Sequence, residues 1–328
     1  MQSKITMINY NAKKNRSPFT NPPRIKQSVG ISYPNSQPPK QNSSIVIPCG
    51  ILFLLSACLF FMVAFYVLYP IKTTILFLGI DYAPHHSFVG RSDTIVLMRF
   101  DSIRPYVGML SIPRDLWVPI PGQGENRINT AHFFAEANQS GSGPYAAIDT
   151  IANNFDVKAD YFVRIRFDGV RDIVNAMDGV DIHLDQPLGG YPAGDFHLTG
   201  EKALAFARHR AGADDFFRMR QGQLLIKSIL LKLINPLNWR YIPSVILTTF
   251  SAMDSNMPIW QIPRLGIILL RVGINNIDTQ IIDRDMTTPT ITGQGASVLL
   301  PNWQRINPLI HQMFKYNLLD SLQNNQSK

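Results

Sequence analysis

The chain contains a long uncharged segment between Ile45 and Tyr69, where no Asp, Glu, Lys or Arg interrupts a run of mostly apolar residues. A helix of this length is sufficient to cross the roughly 30 Å hydrocarbon layer of a membrane. A cleaved signal peptide is the alternative, but the run begins far from the N-terminus, and Tyr66–Pro70 offers no small-residue cleavage site. The sequence therefore predicts one uncleaved transmembrane helix over residues 45–69.

Residues 1–44, which precede this segment, form a basic tail rich in Pro, Asn, Ser and Gln. Seven of the 31 Lys and Arg residues lie here without any acidic residue, which leaves 24 basic against 23 acidic residues elsewhere. Too few apolar residues are present to offset the entropy cost of ordering, so the tail is predicted to be disordered. The positive-inside rule places it in the cytoplasm and residues 71–328 outside the cell membrane.

The distribution of charge and cysteine excludes two classes of function. Because the basic excess is confined to the tail, no folded surface for nucleic acid is expected. Cys49 and Cys58, the two cysteines of the chain, both lie inside the apolar run. Residues 71–328 therefore contain no disulfide, no cysteine nucleophile and no thiolate metal site.

Residues 71–328 alternate between strand and helix patterns and are interpreted as one domain. Clusters of β-branched and aromatic residues predict strands at 74–80, 94–100, 106–112, 161–167, 180–184 and 277–283. Amphipathic spacing and capping residues predict helices at 143–155, 168–177, 200–208, 216–234, 242–250, 259–270 and 303–314. This alternation predicts an α/β fold, a layered α-β-α domain with a mixed central sheet.

Two aspartates mark a candidate metal site. Asp81 follows the first predicted strand and Asp93 begins the second, so antiparallel pairing of these strands would bring the carboxylates close together. A divalent ion such as Mg²⁺ commonly binds through one or two carboxylates and the phosphates of a substrate. The structural alternative is that Asp81 caps a turn while Asp93 pairs with Arg91.

Four arginines between Ala207 and Arg220 indicate a phosphate-binding site, because guanidinium groups bind phosphate in a bidentate manner. On the predicted helix 216–234, Arg218 shares an apolar face with Leu225, whereas Arg220 lies about 200° around the axis. We therefore expect Arg218 to face a pocket. The alternative is that the arginines pair with Asp214, Asp215 or Glu201, since a buried arginine needs an anionic partner. The histidines His132 and His209 are expected to be structural.

Several motifs occur in a fixed order along residues 72–234. They are Leu78-Gly79-Ile80-Asp81, Arg91-Ser92-Asp93-Thr94, Ser111-Ile112-Pro113-Arg114-Asp115, Arg127-Ile128-Asn129-Thr130-Ala131-His132, Phe167-Asp168-Gly169, Gly179-Val180-Asp181, Leu198-Thr199-Gly200-Glu201, Ala203-Leu204-Ala205-Phe206-Ala207-Arg208-His209-Arg210 and Asp215-Phe216-Phe217-Arg218. Taken together they resemble the LytR-CpsA-Psr (LCP) family of cell-wall glycopolymer transferases. The family usually has another Arg before a pair of Gln near Arg218. Here Arg220-Gln221-Gly222-Gln223 departs from that pattern, which leaves the roles of Arg220 and Gln221 open.

The resemblance implies that a glycan phosphate is transferred from a polyprenyl-pyrophosphate carrier to peptidoglycan, attaching a cell-wall or capsular glycopolymer. Asp81 and Asp93 would hold Mg²⁺ or Mn²⁺, and Asp93, Arg91 and Arg114 would be catalytic. The implied pyrophosphate-binding residues are Arg91, Arg114, Arg208, Arg210, Arg218 and Gln223. The implied partners are the carrier-linked glycan, peptidoglycan and the cytoplasmic membrane, with no nucleic acid.

Two other functions remain open at this stage. The same anion-binding residues would serve a hydrolase that passes the phosphoryl group of a lipid pyrophosphate to water. A membrane-anchored regulator of the cell envelope, without enzymatic activity, would also account for the basic tail and the apolar run.

Overall fold

The computed structural model describes residues 49–81, 88–209 and 215–315. Its contacts divide the chain into two compact units, Met1–Cys58 and Leu59–Lys328. The described residues of the first unit form the beginning of an apolar helix, α1 (Cys49–Leu68). Across the described ranges, no helix combines the length and the apolar character that crossing a membrane requires. The predicted tail (1–44) and the first residues of the predicted membrane helix (45–48) lie outside the described ranges.

The described part of the second unit alternates between strands and helices. The strands are β1 (Lys72–Asp81), β2 (Arg91–Asp101), β3 (Tyr106–Ile112), β4 (Trp117–Ile120), β5 (Gly124–Arg127), β6 (Tyr161–Arg166), β7 (Val180–Leu184), β8 (Gly194–Leu198), β9 (Met253–Ser255), β10 (Asp278–Ile281), β11 (Thr287–Ile291) and β12 (Ser297–Pro301). The remaining α-helices are α2 (Thr130–Asn138), α3 (Gly143–Phe155), α4 (Phe167–Ala176), α5 (Gly200–Arg208), α6 (Asp215–Ile234), α7 (Ile242–Ala252), α8 (Gln261–Val272) and α9 (Trp303–Ile310). Short 3₁₀ segments occur at Pro236–Tyr241, Ile274–Asn276 and Arg284–Met286, and a π-helix at His311–Lys315 follows α9.

A six-stranded mixed sheet organises this unit, in the order β10-β3-β2-β1-β6-β9. β2 runs antiparallel to β1 and β3, and β9 runs antiparallel to β6. β1 pairs in parallel with β6, and β10 with β3. β1, β3, β6 and β10 therefore share one direction, and their carboxyl ends meet at one edge of the sheet. Three two-stranded sheets, β4-β5, β7-β8 and β11-β12, lie outside it.

Both faces of the central sheet are covered, which explains why its strands read as continuous apolar runs. Successive side chains of a strand point to opposite faces. Leu76 and Leu78 accordingly pack with α3 and α9, whereas Ile75 packs on the other face with α8 and, at its margin, α6. Each such fully buried aliphatic side chain contributes about 1.5–3 kcal/mol. A third apolar cluster joins α4, α5 and α6 to the β7-β8 hairpin. The predicted α-β-α layering with a mixed sheet is confirmed.

Local differences from the predicted elements have physical causes. Phe167 begins α4 and does not end β6, because the chain turns into the helix at that point. Pro308 lies inside α9, and the predicted helix 303–314 continues as a π-helix after Ile310. Thr199 is the N-cap residue of α5, but its side chain makes no capping hydrogen bond. Asp215 is the first residue of α6, and its carboxylate is used in ion pairs with arginines.

Candidate active site

Residues from three strands meet at the sheet edge formed by the carboxyl ends of β1, β3 and β6. Asp81 ends β1, Arg114 follows β3 after Pro113, and antiparallel β2 begins at the same edge. Open α/β sheets commonly bind ligands at this edge. β1 and β2 are antiparallel neighbours, which is the pairing that the expected approach of Asp81 and Asp93 requires, and both aspartates line the same cavity.

A β-bulge turns Asp93 toward this edge. Gly79 lies opposite Thr94 while Ile80 lies opposite Ser92, so Asp93 is the extra residue of β2. Such bulges redirect a side chain and are frequent next to active sites. Gly79 also leaves space there, because a Cβ atom at this position would lie 2.9 Å from Thr94 Cβ and 3.0 Å from Phe167 Cε1. The bulge and the glycine together shape the floor of the site.

Arg114 is the centre of an ion-pair cluster. Its Nη1 donates to Asp93 Oδ2 at 2.8 Å, and its Nε lies 2.9 Å from Asp215 Oδ2 and 3.3 Å from Asp115 Oδ2. Arg127 Nε lies 3.3 Å from the other oxygen of Asp115. These contacts connect the ends of β3 and β5, the bulge of β2 and the first turn of α6.

Arg208 lies across the edge from this cluster, at the end of α5. Its Nη2 donates to Asp81 Oδ1 at 2.7 Å, and its guanidinium lies 5.1 Å from the ring centroid of Phe167. The Asp81 side chain is 9% exposed, whereas the Arg208 side chain is 41% exposed. The Arg208 guanidinium is therefore partly accessible from solvent, while the Asp81 carboxylate is enclosed and held by the ion pair.

Arg218 faces the same site from α6 and forms an ion pair with Asp215. Its side chain is 16% exposed, whereas Arg220, two residues further along the helix, is an exposed residue. The prediction from helical spacing that Arg218 faces a pocket is confirmed. The predicted alternative, in which an arginine pairs with Asp215, is also observed, so Asp215 joins Arg218 to Arg114.

These groups surround one cavity of about 190 Å³. Its lining residues are Asp81, Asp93, Thr94, Ile95, Ser111, Pro113, Arg114, Phe167, Ala207, Arg208, Asp215, Arg218, Met219 and Gly222. Three arginines and three aspartates belong to that set, so the ionised wall is formally neutral. The cavity thus combines concentrated charge with apolar side chains.

Arg114 and the carboxylates around it shift each other's pKa values. Burial alone would lower the pKa of Arg114, but Asp93, Asp215 and Asp115 outweigh it and raise the pKa above its ordinary value. Burial raises the pKa of Asp115, and the nearby Asp215 adds to that rise against the opposing charges of Arg114 and Arg127. Arg114 consequently remains a fixed positive charge, while Asp115 holds a proton more readily than an isolated aspartate does.

The match to a protein family covers well over half of the chain. Residues 70–315 match the model of the LytR_cpsA_psr family, a range that contains all of the lining residues of the cavity. The chain belongs to the LytR_cpsA_psr family. The resemblance found in the sequence motifs is thereby confirmed, and it extends beyond residue 234 to Lys315.

Curated relatives match this LytR_cpsA_psr protein over a shorter stretch. TagU of Oceanobacillus iheyensis, named polyisoprenyl-teichoic acid–peptidoglycan teichoic acid transferase, is 35% identical over 140 residues, which is 42% of this chain and 43% of the relative. TagV of Bacillus subtilis, whose name states the same activity, is 32% identical over 169 residues, covering 46% of this chain and 41% of the relative. The chain spans less than half the length of these two relatives.

Solved structures share the fold. The crystal structure of B. subtilis TagV superposes with a TM-score of 0.62 at 25% identity and covers 75% of this chain and 98% of that one. A structure of TagT bound to LIIa-WTA gives a TM-score of 0.58 at 22% identity and covers 75% and 91% of the two chains. These similarities identify the mixed sheet and its helices as the fold found in TagV and TagT.

The remaining predicted site residues occupy different places. Arg91 lies opposite Asp81 in the β1-β2 register, but its side chain is exposed and is not among the lining residues. Gln223 is buried on α6, where its Nε2 donates to the carbonyl of Gln280 at 2.7 Å, and it does not line the cavity. Arg210 lies outside the described residues. Roles for these three residues remain predictions.

Sequence reasoning did not identify several residues that line the cavity. Ser111 is buried at 1% exposure, and its hydroxyl has no hydrogen-bond partner in the described part of the chain. The sequence offers Asp215 only as a partner of an arginine on the segment 207–220, and its contact with Arg114 was not predicted. The position of Ser111 within the Ser-Ile-Pro-Arg-Asp motif was the available signal for a role in the site.

The donor set is suited to a hard divalent cation bound together with a substrate. Asp81 and Asp93 both line the cavity and provide carboxylate oxygens, the ligands that Mg²⁺ prefers. Within residues 49–81, 88–209 and 215–315, no cluster of three or more His, Cys, Asp or Glu could hold a metal ion. Two carboxylates are nevertheless sufficient where phosphate oxygens and water complete the coordination. Asp81 and Asp93 therefore fit a divalent ion that binds together with its substrate.

Proposed function

We propose that this LytR_cpsA_psr protein transfers a glycan phosphate from a polyprenyl-pyrophosphate carrier to peptidoglycan, thereby attaching a cell-wall or capsular glycopolymer. The observation that supports the proposal most is the convergence of Arg114, Arg208 and Arg218 on one cavity. Fixed guanidinium groups are well suited to bind phosphate oxygens. The relatives named for teichoic acid transfer to peptidoglycan support the same donor and acceptor chemistry.

The arginines would divide the binding of the diphosphate between them. Arg208 lines the cavity and is the most exposed of the three, so its guanidinium is the most accessible to an incoming phosphate. Arg114 is held by three carboxylates and remains in position as the charge develops. Arg218 reaches the cavity from α6. A diphosphate would therefore be held from several directions.

The charge of the cavity favours the binding of a cation together with the diphosphate. Its three arginines and three aspartates balance, so a bound diphosphate would leave the site with a negative excess. Mg²⁺ or Mn²⁺ bound through Asp81 and Asp93 would offset that excess and supply Lewis-acid stabilisation of the phosphate oxygens. Asp81 and Asp93 would hold their oxygens toward the ligand because Arg208 and Arg114 fix their side chains.

The reaction we propose is attack by a sugar hydroxyl of peptidoglycan on the phosphorus atom that carries the glycan. The new phosphodiester forms as the bond from this phosphorus to the bridging oxygen breaks, and polyprenyl phosphate leaves with the bonding electrons. The arginines stabilise the charge that develops on the transferred phosphoryl group. Asp93, which lines the cavity and is 14% exposed, is the carboxylate we assign to receive the proton of the attacking hydroxyl.

We also propose that residues 45–69 anchor the protein in the cytoplasmic membrane, with the tail inside the cell and the catalytic unit outside. The sequence supports this arrangement, because the uncharged run begins at Ile45, before the described start of α1, and positive charges precede it. An external catalytic unit would have direct access to peptidoglycan.

The decisive test uses the full-length protein reconstituted in phospholipid vesicles with a lipid-pyrophosphate-linked glycan and purified peptidoglycan. We expect a phosphodiester-linked glycan on the peptidoglycan and one polyprenyl phosphate released for each linkage. Free glycan phosphate produced equally with and without peptidoglycan would indicate a hydrolase. Absence of both products, from protein shown to be folded, would contradict an enzymatic function.

A further inference from the structure

The edge of the central sheet opposite the cavity carries a group of exposed apolar residues. The chain enters β1 there directly from the end of α1. The large apolar side chains at this edge are Tyr69, Ile103, Ile259, Trp260 and Ile262, which are between 53% and 62% exposed and are called the docking surface below. Tryptophan and tyrosine are enriched where proteins meet the membrane–water interface.

Side chains of α8 connect this surface to the end of α1. Arg264 Nη2 donates to the carbonyl of Tyr69 at 2.7 Å, and its guanidinium lies 5.0 Å from the ring centroid of Tyr66 and 5.9 Å from that of Tyr69. Trp260 is the N-cap residue of α8 and precedes Arg264 by one helical turn. The apolar residues at the start of α8 therefore lie beside the point where the chain leaves the apolar helix.

The same face of α8 is positively charged. Arg271 follows Arg264 after two helical turns, and its Nη1 donates to the carbonyl of Ser102 at 3.3 Å. Ser102 is hydrogen-bonded in turn to Ile71, beside the start of β1. Both arginines contact backbone carbonyls, and neither forms an ion pair with a carboxylate in the described part of the chain. A surface that combines exposed aromatic and aliphatic residues with such arginines is complementary to anionic phospholipid.

We propose that the docking surface binds the surface of an anionic phospholipid bilayer, with Ile259, Trp260 and Ile262 inserted at the boundary between the headgroups and the acyl chains. The inference rests on the proposed membrane anchorage and specifies how the catalytic unit is oriented. β1 contains ten residues, which at about 3.3 Å each separates the docked edge from the cavity by roughly 30 Å. The cavity would then open away from the bilayer, toward the peptidoglycan acceptor. A carrier lipid would have to extend its prenyl chain over the same distance.

The docking is tested by tryptophan quenching in the full-length protein. The protein is placed in nanodiscs of phosphatidylcholine and phosphatidylglycerol whose acyl chains carry bromine, a short-range quencher, and is compared with unbrominated nanodiscs. We expect Trp260→Tyr to remove most of the bromine-dependent quenching. Trp117→Tyr should leave that quenching unchanged, because Trp117 lies in the β4-β5 hairpin, away from the docking surface. Quenching that survives Trp260→Tyr, or disappears with Trp117→Tyr, overturns the proposal.

A second comparison retains all tryptophans. Ile259→Ser/Ile262→Ser should reduce the quenching, whereas Leu247→Ser, an exposed apolar position on α7, should not. Equal effects of the two variants would overturn the proposal. Transfer activity is measured on the same nanodiscs: transfer without Trp260 quenching rejects the docking and leaves the proposed function standing. Quenching without transfer supports the docking and counts against the function.

Discussion

At the scale of single residues, the arginines of the cavity differ in how firmly their surroundings hold them. Arg114 contacts three carboxylates, Arg218 contacts Asp215, and Arg208 contacts Asp81 from a more exposed position. Removing Arg114 would leave several acidic groups close together, so a loss of activity in that variant would combine binding with misfolding. Arg218 provides a cleaner test because its neighbour Arg220 is a matched control.

We predict that Arg218→Ala lowers kcat of the transfer reaction by roughly 100-fold or more, the usual effect of removing one fixed donor to a developing charge. Arg220→Ala should remain close to wild type, since Arg220 is exposed on the same helix and does not line the cavity. Steady-state transfer assays and thermal unfolding of both variants provide the measurement. Similar losses in the two variants would mean that general positive charge on α6, and not placement in the cavity, determines activity.

Replacing Ser111 is predicted to lower activity without lowering stability. Its hydroxyl is buried against the cavity without a hydrogen-bond partner among the described residues, which costs free energy in the unliganded protein. Ser111→Ala should therefore keep or slightly raise the free energy of unfolding, while kcat/KM falls by about tenfold through loss of a donor to the substrate. Denaturant unfolding and kinetic assays measure the two quantities. An unchanged kcat/KM would exclude contact between this hydroxyl and the substrate.

At the scale of secondary-structure elements, the β1-β2 bulge is the feature on which the site depends. It exposes Asp93 to the cavity, and Gly79 allows Thr94 and Phe167 to approach closely beside it. Asp93, Thr94 and Phe167 line the cavity, whereas Gly79 does not. A change at Gly79 would therefore reach a bound ligand through the packing of these three residues.

We predict that Gly79→Ala destabilises the protein by about 1–3 kcal/mol, the typical cost of overpacking, and reduces transfer activity further than this loss of stability explains. Gly266→Ala on α8 is the control, because a Cβ atom there would meet no other atom within 4 Å. Chemical denaturation and activity at a temperature where both variants are folded distinguish the effects. Retention of full activity by Gly79→Ala would show that the packing around the bulge is not critical.

Helix α2 is attached to the sheet by a buried polar network remote from the described cavity lining. Arg164 of β6 lies 2.7 Å from Glu136 Oε2 and 2.8 Å from Asp254 Oδ2, and Phe88 stacks 4.1 Å from its guanidinium. His132 contacts the carbonyl of Gly90 at 3.1 Å, one residue before β2 begins. The network therefore supports the segment that leads into Asp93, and the structural role expected for His132 is confirmed.

This network predicts a loss of stability in mild acid. Burial lowers the pKa of His132 to about 4; the positive charge of Arg164 also lowers it, while Gly90 and Glu136 act in the opposite direction. Because the folded-state pKa lies below the ordinary value of about 6.5, protonation favours the unfolded state, and stability present above pH 6.5 falls by about 3 kcal/mol as the pH approaches 4. Unfolding of wild type and His132→Gln across this range measures the effect. The exposed His311→Gln should retain the wild-type slope, and an unchanged slope in His132→Gln would contradict the assignment.

Elements with strong local patterns were predictable from the sequence, and elements defined by distant pairing were not. β3 and α3 were predicted with the bounds observed, because a mostly apolar run and an amphipathic repeat define them locally. The hairpin β4-β5, with Pro119 and polar Gly124–Arg127, lacks an alternating pattern. β9 consists of three residues and exists through its pairing with β6, about ninety positions earlier in the chain. Such pairing depends on tertiary packing and not on local preference.

The same distinction applies to the site. Helical spacing was sufficient to separate Arg218 from Arg220, since both belong to one continuous element. The contact between Arg114 and Asp215 joins residues 101 positions apart and requires α6 to dock against the end of β3. No local pattern specifies that approach. The motifs located the acidic and basic residues of the site, while their pairing became visible with the fold.

At the scale of the whole molecule, the parallel direction of β1, β3 and β6 brings together motifs that are far apart in the sequence. It also separates the two ends of the sheet: the cavity lies at the carboxyl ends of these strands, and the proposed docking surface lies where β1 begins. The proposed function requires that the charged end hold a diphosphate together with a divalent cation. This requirement is the central claim.

The most direct test is calorimetric titration of the full-length protein with farnesyl diphosphate, in Mg²⁺ and in chelator, for wild type, Asp81→Asn and Asp93→Asn. We predict that Mg²⁺ tightens wild-type binding by about tenfold or more, equivalent to about 1.4 kcal/mol, and that this gain disappears in both variants. Asp149→Asn, at an exposed position of α3, should keep the full gain. Equal affinity in Mg²⁺ and in chelator for the wild type, or an undiminished gain in both cavity variants, would contradict the account.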